Sequence, residues 1–236
     1  MSKDEINSST RLGFIGLGYL GSRIAHRLIA AGSPVTVFDR KQAKATQFSA
    51  VGAAVGAKVA ADLVKLAGDV EVVLSCLGDD AAVEDVHFGT TKVLGAASRI
   101  TTIIELSTVA PATAGRLHGA VAKVGISVLD VAISGSTVAA ESGTLTLFGG
   151  GDAQVFEMAQ PIFRAIVAQW FHMGPSGSGA AMKLNTLLGL GMQAIVEAIA
   201  LGEGLDLPRD LLFDTLPKNF SCGAGACRQT SSRETE

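Results

Sequence analysis

Residues 11–32 read RLGFIGLGYLGSRIAHRLIAAG, and the order of events within them decides the fold. A short apolar strand, Leu12 to Ile15, runs into Gly16, Gly18 and Gly21. A helix follows at once, with Ile24, Leu28 and Ala31 on one face. In a G-x-G-x-x-G turn the three glycines act differently. Gly16 permits the tight turn off the strand, Gly18 offers bare backbone to a pyrophosphate, and Gly21 lets the helix pack close to the strand. The helix then aims its free N–H groups and the positive end of its dipole at the phosphates. A second strand, Val35 to Phe38, ends in Asp39, 18 positions past Gly21 and near the spacing for a carboxylate that accepts from the adenine-ribose hydroxyls. The competing reading is a strand–helix–strand unit whose glycines serve packing alone; the acidic residue at that distance favours a dinucleotide.

Composition bounds the rest. A chain of 236 residues can bury a full core and hold one large domain plus part of another. The 48% hydrophobic content and mean hydropathy of +0.39 suit buried parallel strands and close helix packing. Nineteen basic and 22 acidic residues leave a net charge of −3 with no basic stripe, which argues against a nucleic-acid partner. Cys76, Cys222 and Cys227, with four scattered histidines, fit a reduced cytoplasm. Cys222 and Cys227 lack the two further ligands of a structural zinc site, so no metal is expected. The polar start, residues 1–10, reads as a disordered lead-in without a signal peptide's apolar core. The uncharged stretch Leu184 to Val196 is too short to span a bilayer, so no membrane partner is expected.

Strand and helix signals alternate from residue 11 to about 175. Helix Gln42 to Ser49 precedes a weak strand, Ala53 to Val55; helix Ala60 to Leu66 precedes strand Val70 to Leu74. Helix Ala81 to Phe88 leads to strand Thr101 to Leu106, and Pro111 opens a helix that reaches Val124. Strands Ser127 to Leu129 and Thr144 to Phe148, helix Gln154 to Ile166 and strand Trp170 to Met173 complete the series. This pattern implies an α/β fold, a doubly wound Rossmann-type parallel sheet, with its ligand-facing loops at the carboxyl edge. Gly174 to Gly179, GPSGSG, reads as a flexible break before a partial helical domain, 176–217. In that domain one long helix is expected over 180–204 and a shorter one over Arg209 to Leu216. From 218 to 236 the pattern dissolves into a disordered tail.

Four ordered motifs make the chain similar to the β-hydroxyacid dehydrogenase family, which includes 3-hydroxyisobutyrate dehydrogenase and tartronate semialdehyde reductase and is related to 6-phosphogluconate dehydrogenase. They are GFIGLGYLGSRIA (13–25), ELSTVAP (105–111), LDVAISGSTVAAESGTLTLFGG (129–150) and GPSGSGAAMKLN (174–185). The resemblance implies an NAD(P)-dependent oxidoreductase that moves a hydride between nicotinamide and a small 3-hydroxy acid or its semialdehyde. Cofactor contacts would come from Gly16, Leu17, Gly18, Tyr19, Leu20, Gly21, Asp39, Arg40, Lys44, Leu77 and Thr108, and substrate contacts from Ser134, Gly135, Ser136, Lys183 and Asn185. Lys183 would be the general acid/base, a role that partial desolvation of a lysine in a cleft favours. Read from the residues alone, Ser134 could simply bond its own backbone, and Ser107 and Thr108 could cap the helix that begins near Pro111. Asp39 favours NAD because its charge repels a 2′-phosphate, whereas Arg40 and Lys44 match a pattern that holds one, so NADP stays open. None of His26, His87, His118 and His172 competes as a catalytic group; all four read as packing or surface residues.

Two departures set alternatives beside that reading. The family's asparagine lies one helical turn past the lysine, but Asn185 follows Lys183 by two, which on a regular helix is nearly the opposite face. The helical domain is also shorter than the family's, as truncation would leave it. A catalytically silent NAD(P)-binding remnant is therefore one alternative, and an imine reductase-like enzyme is another, although imine reductases commonly replace the lysine. An uncovered apolar face on helix 180–204 predicts a homodimer or self-association.

Overall fold

The computed structural model describes residues 9–52, 57–89, 99–182 and 188–216. The chain divides into two compact units, Met1–Lys183 and Leu184–Glu236.

The first unit follows the alternation in the sequence: β1 (Leu12–Ile15), α1 (Tyr19–Ala30), β2 (Val35–Phe38), α2 (Gln42–Gly52), β3 (Lys58–Val59), α3 (Leu63–Asp69), β4 (Val72–Ser75), α4 (Asp80–Phe88), β5 (Thr102–Glu105), α5 (Pro111–Ala122) and β6 (Ser127–Ser134). Then come α6 (Thr137–Ser142), β7 (Leu145–Gly151), α7 (Ala153–Met158), α8 (Gln160–Ile166), β8 (Val167–Gly174) and α9 (Ser178–Ala181). All eight strands lie in one sheet in the order β3-β2-β1-β4-β5-β6-β7-β8. Helices cover both faces. Phe14, Val37, Leu74 and Leu129 pack with α1, α7 and α8 on one side, while Ile15, Val73 and Val128 pack with α3 and α5 on the other. Strands β1, β4 and β5 are buried along their whole length, as a sheet covered on both faces requires.

The wholly parallel sheet is corrected at one pair: β7 runs antiparallel to β6. Residues 135–144, which carry only the six-residue α6, are too short for a crossover to a parallel neighbour, so the chain doubles back. β6 also runs five residues past its expected end at Leu129, because Val131 and Ile133 continue the apolar alternation beyond the polar Asp130. The expected helix 154–166 is two helices, parted at Ala159, since Pro161 in the first turn of α8 has no N–H to continue the ladder. α3 starts three residues later than expected, where Asp62 caps it by accepting from the Lys65 N–H. Residues 53–55 lie outside the described residues; the third strand is Lys58–Val59.

Residues 183–187 of the long helix expected over 180–204 lie outside the described residues, and α9 precedes them. It begins at Ser178 and closes after Ala181, where the Met182 N–H bonds to carbonyls of Gly179 and Ala180 and tightens the last turn. Within the second unit, α10 (Leu188–Glu203) and a helix at 209–216 pack where Gly202 meets Leu212. Val196, Leu201, Leu205, Leu207, Leu211 and Phe213 are exposed there. Among the described residues no helix is long and apolar enough to cross a membrane.

Candidate active site

The turn after β1 separates its three glycines by physical cause. Gly16 has a φ of 95°, and a Cβ there would overlap the Cys76 carbonyl oxygen. A Cβ on Gly21 would overlap the carbonyl oxygen of Gly16, so the first turn of α1 can lie on the strand end only without a side chain. Around Gly18, by contrast, a Cβ would meet nothing within 4 Å. Its φ of −72° suits any residue, and it caps α1 with no side-chain hydrogen bond. The fold needs Gly16 and Gly21. It gives no reason for Gly18.

The same turn borders a cavity of about 490 Å³ lined by Gly16, Gly18, Asp39, Arg40, Cys76, Leu77 and the first turns of α4. Asp39 stands at the end of β2, 9% exposed, and holds the glycine turn to its own loop: Oδ2 accepts from the Leu17 N–H at 2.9 Å and Oδ1 from the Lys41 N–H at 2.8 Å. Each oxygen keeps a further lone pair for a ribose hydroxyl. Arg40, Lys44 and Tyr19 are exposed, Leu20 is half-buried, and Leu17 is buried. The Cys76 thiol, beneath the turn, is pushed up to about 12 by burial and by the Glu105 carboxylate, which keeps it an inert thiol. These residues fit a dinucleotide: an uncapped helix N-terminus, backbone open at Gly18, and a carboxylate at the far strand end.

A row of buried polar residues lies just beneath the carboxyl edge. Ser75, Glu105 and Asp130 are register partners on β4, β5 and β6, and Gly150 and Gly174 continue the row on β7 and β8. Ser75, Glu105 and Asp130 are at most 2% exposed. Each carboxylate is met by a histidine from the helices on that face. His87 on α4 lies 3.0 Å from Oε2 of Glu105, and His118 on α5 lies 3.0 Å from Oδ1 of Asp130. Beyond the packing or surface role expected of these two histidines, each joins a hydrogen-bond network around a buried carboxylate. His26 packs against Phe48 with the two rings tilted, and His172 bonds the Gly151 carbonyl.

Glu105 connects two loops. Its Oε2 accepts from the Ser75 hydroxyl at 2.6 Å, and its Oε1 accepts from the Ser107 N–H at 2.9 Å. The Ser107 hydroxyl in turn accepts from the Leu77 N–H at 2.7 Å. Ser107 therefore does not cap α5, and neither does Thr108: the cap is Ala110, which uses no side chain and whose N–H goes to Asp80. Thr108 is exposed at the edge.

Asp130 fixes the turn after β8. Its carboxylate accepts from the Gly177 N–H at 2.9 Å and the Ala180 N–H at 2.8 Å, besides His118. Burial raises its pKa, but those three bonds outweigh burial and hold it below the ordinary carboxylate value. A Cβ on Gly179 would overlap the Asp130 carbonyl oxygen and crowd Gly150. The GPSGSG stretch, read as a flexible break, is in fact a locked turn. It sets Ala180 in a cluster with Val83, Val109, Ala114 and Leu77, beside the loops after β4 and β5. Lys183 and Asn185 lie outside the described residues.

Ser134 ends β6 at the same edge, half-buried, with Gly135 exposed beyond it. Ser136 caps α6 by accepting from the Ala139 N–H, a structural use of a position expected to contact substrate. Sequence reasoning missed Ser75, His87, Glu105, His118 and Asp130. The available signal was an acidic residue closing an apolar strand, IIE and VLD, with a histidine inside a nearby helix.

Comparison with known proteins agrees with this geometry. The chain is 36% identical over 211 residues to an NAD-dependent L-serine dehydrogenase of Pseudomonas aeruginosa, spanning 89% of this chain and 70% of that protein. It is 37% identical over 201 residues to the 3-hydroxyisobutyrate dehydrogenase of the same organism, spanning 84% of this chain and 66% of that one. Among solved structures, Mycobacterium tuberculosis 3-hydroxyisobutyrate dehydrogenase with L-serine superposes with a TM-score of 0.75 at 29% identity, covering 88% of this chain and 70% of that one. A Streptomyces aurantiacus imine reductase superposes with a TM-score of 0.82 at 22% identity, covering 94% of this chain and 77% of that one, a likeness of fold alone. Residues 11–174 match the family described as the NAD binding domain of 6-phosphogluconate dehydrogenase, and the chain belongs to that family.

Proposed function

We propose that this protein is an NAD(P)-dependent oxidoreductase acting on a small 3-hydroxy acid or its semialdehyde, with Lys183 as general acid/base. The observation that carries the reading is Gly18: an open backbone position, beside a cavity of about 490 Å³, that nothing among the described residues requires to be glycine. A pyrophosphate laid across the start of α1 explains it. When bound, the nicotinamide supplies or accepts the hydride.

The chain's own residues do the rest. The Ser134 hydroxyl and the backbone around Gly135 hold the substrate carboxylate at the edge of β6, with Ser136 and Asn185 as further contacts. The Lys183 ammonium gives its proton to the carbonyl oxygen during reduction, and its neutral amine takes the hydroxyl proton in the reverse direction. Support comes from α9, whose head is pinned by Asp130 and whose Ala180 packs with Leu77 and Val109 only three residues before Lys183. The Asp39 carboxylate stands at the adenine end and disfavours a 2′-phosphate, so NAD is preferred over NADP, with Arg40 and Lys44 allowing the second.

The test is titration with NAD and NADP, followed by turnover measurements on L-serine, 3-hydroxyisobutyrate and related 3-hydroxy acids. Binding of NAD with turnover that falls at least about 100-fold in Lys183→Ala is expected, the size of a lost general acid/base. Binding without turnover, unchanged by the substitution, overturns the enzymatic reading.

A further inference from the structure

We infer that Glu105 is a buried anion that tilts the site toward the oxidised, cationic form of the nicotinamide cofactor. The inference rests on the reading of this chain as a nicotinamide-dinucleotide protein. In an open α/β sheet the ligand crosses the carboxyl edge at the point where strand order reverses, here between β1 and β4. The adenine half then lies toward Asp39 on β2, and the nicotinamide half lies over the ends of β4 and β5. Glu105 is the last residue of β5, and only 1% of it is exposed.

Its surroundings keep the charge in place without cancelling it. Three donors meet the carboxylate: the Ser75 hydroxyl, the Ser107 N–H and the His87 ring. Among the described residues, Nδ1 of His87 is buried without a partner. A second proton there would be a charged donor with nothing to receive it, so the ring is assigned as the neutral Nε2–H tautomer. The cluster therefore carries one net negative charge. The cluster borders the cavity: Ser75 directly precedes Cys76, which lines it with Leu77, and the Leu77 N–H bonds to the Ser107 hydroxyl beside the carboxylate. A cationic ring gains from such a charge; a neutral dihydronicotinamide does not.

The experiment compares dissociation constants of NAD+ and NADH for the wild type and for Glu105→Gln, by calorimetry and by NADH fluorescence. The ratio of the NAD+ constant to the NADH constant is expected to rise about fivefold or more, the scale of one charge lost in a medium of effective dielectric constant about 20. A purely structural role would move both constants together, so an unchanged ratio overturns the inference. His87→Gln, which keeps the carboxylate charged and still offers an amide donor, is expected to leave the ratio within about twofold of the wild type; a shift as large as that of Glu105→Gln also overturns it. If Glu105→Gln does not fold, the combined Ser75→Ala, His87→Leu and Glu105→Met replacement removes the carboxylate together with its two side-chain partners, and the same ratio decides. Failure of the wild type to bind either form sinks the dinucleotide reading, and with it the premise; binding of both with an unmoved ratio sinks this inference alone.

Discussion

Two glycine-rich turns frame the sheet, one after β1 and one after β8, and a glycine in each, Gly18 in the first and Gly179 in the second, stands there for opposite reasons. Around Gly179 the chain fills its own space: the α9 backbone lies against the β6–β7 pair so closely that a methyl group would collide with the Asp130 carbonyl and crowd the Gly150 N–H. Around Gly18 the space is empty. A sequence pattern reports both as G-x-G and cannot tell them apart. A glycine demanded by packing is accounted for by its neighbours, whereas Gly18 is an open glycine at a helix N-terminus beside a cavity, which leaves room for a ligand.

The sharpest way to break this comparison is Gly179→Ala. The added methyl meets backbone rather than the yielding end of a side chain, so β6, β7 or α9 must shift. A loss of at least about 3 kcal/mol is expected, the upper range for overpacking. Urea or thermal unfolding of the variant measures it. Wild-type stability would mean that α9 does not sit on the sheet as described.

Asp130→Asn comes next in size and tests the same lock through its hydrogen bonds. One carboxylate oxygen accepts from Gly177 and His118 and the other from Ala180, so an amide must turn an N–H₂ toward at least one donor. A cost of about 1–3 kcal/mol is expected at neutral pH. The sign of its pH dependence follows from the lowered pKa of Asp130. Its stabilisation is complete above the unfolded carboxylate value of about 3.9 and is lost as pH falls through the lower folded value. Thermal midpoints of wild type and variant should therefore differ by a constant amount near pH 7 and converge below about pH 4. Divergence on acidification would contradict the assignment.

Legibility differed between the two regions for related reasons. From β1 to α5 the fold can be read almost directly, because each strand is a short apolar run and each connection is a helix long enough to cross the sheet. From β6 onward the reading slips. Asp130 interrupts an apolar strand, α6 is too short to carry a recognisable period, and the reversal of β7 depends on loop length rather than on residue type. The site divides in the same way. Gly16, Gly18, Gly21 and Asp39 are legible because their spacing along the chain is fixed by one strand–helix–strand unit. Glu105 meets His87 on α4, and Asp130 meets His118 on α5, only once those helices pack on the sheet, and the spacing along one segment does not show which residue of another it will meet.

Gly18→Ala is the gentlest substitution and the one that most directly separates the two turns. The position has an extended ψ of −170° with φ at −72°, ordinary for alanine, and its Cβ direction is clear of the protein. The folded state should hardly notice: an alanine in place of glycine as helix cap costs about 0.5 kcal/mol, a shift of about 1–2 °C for a chain of this size. A dinucleotide lying against that backbone would notice, because the methyl group occupies the surface on which the pyrophosphate rests. The expected result is an NAD dissociation constant raised about tenfold with thermal stability nearly unchanged, read by calorimetry beside differential scanning fluorimetry. Equal affinity in the two proteins would leave Gly18 without an explanation and would remove the observation on which the enzymatic reading stands.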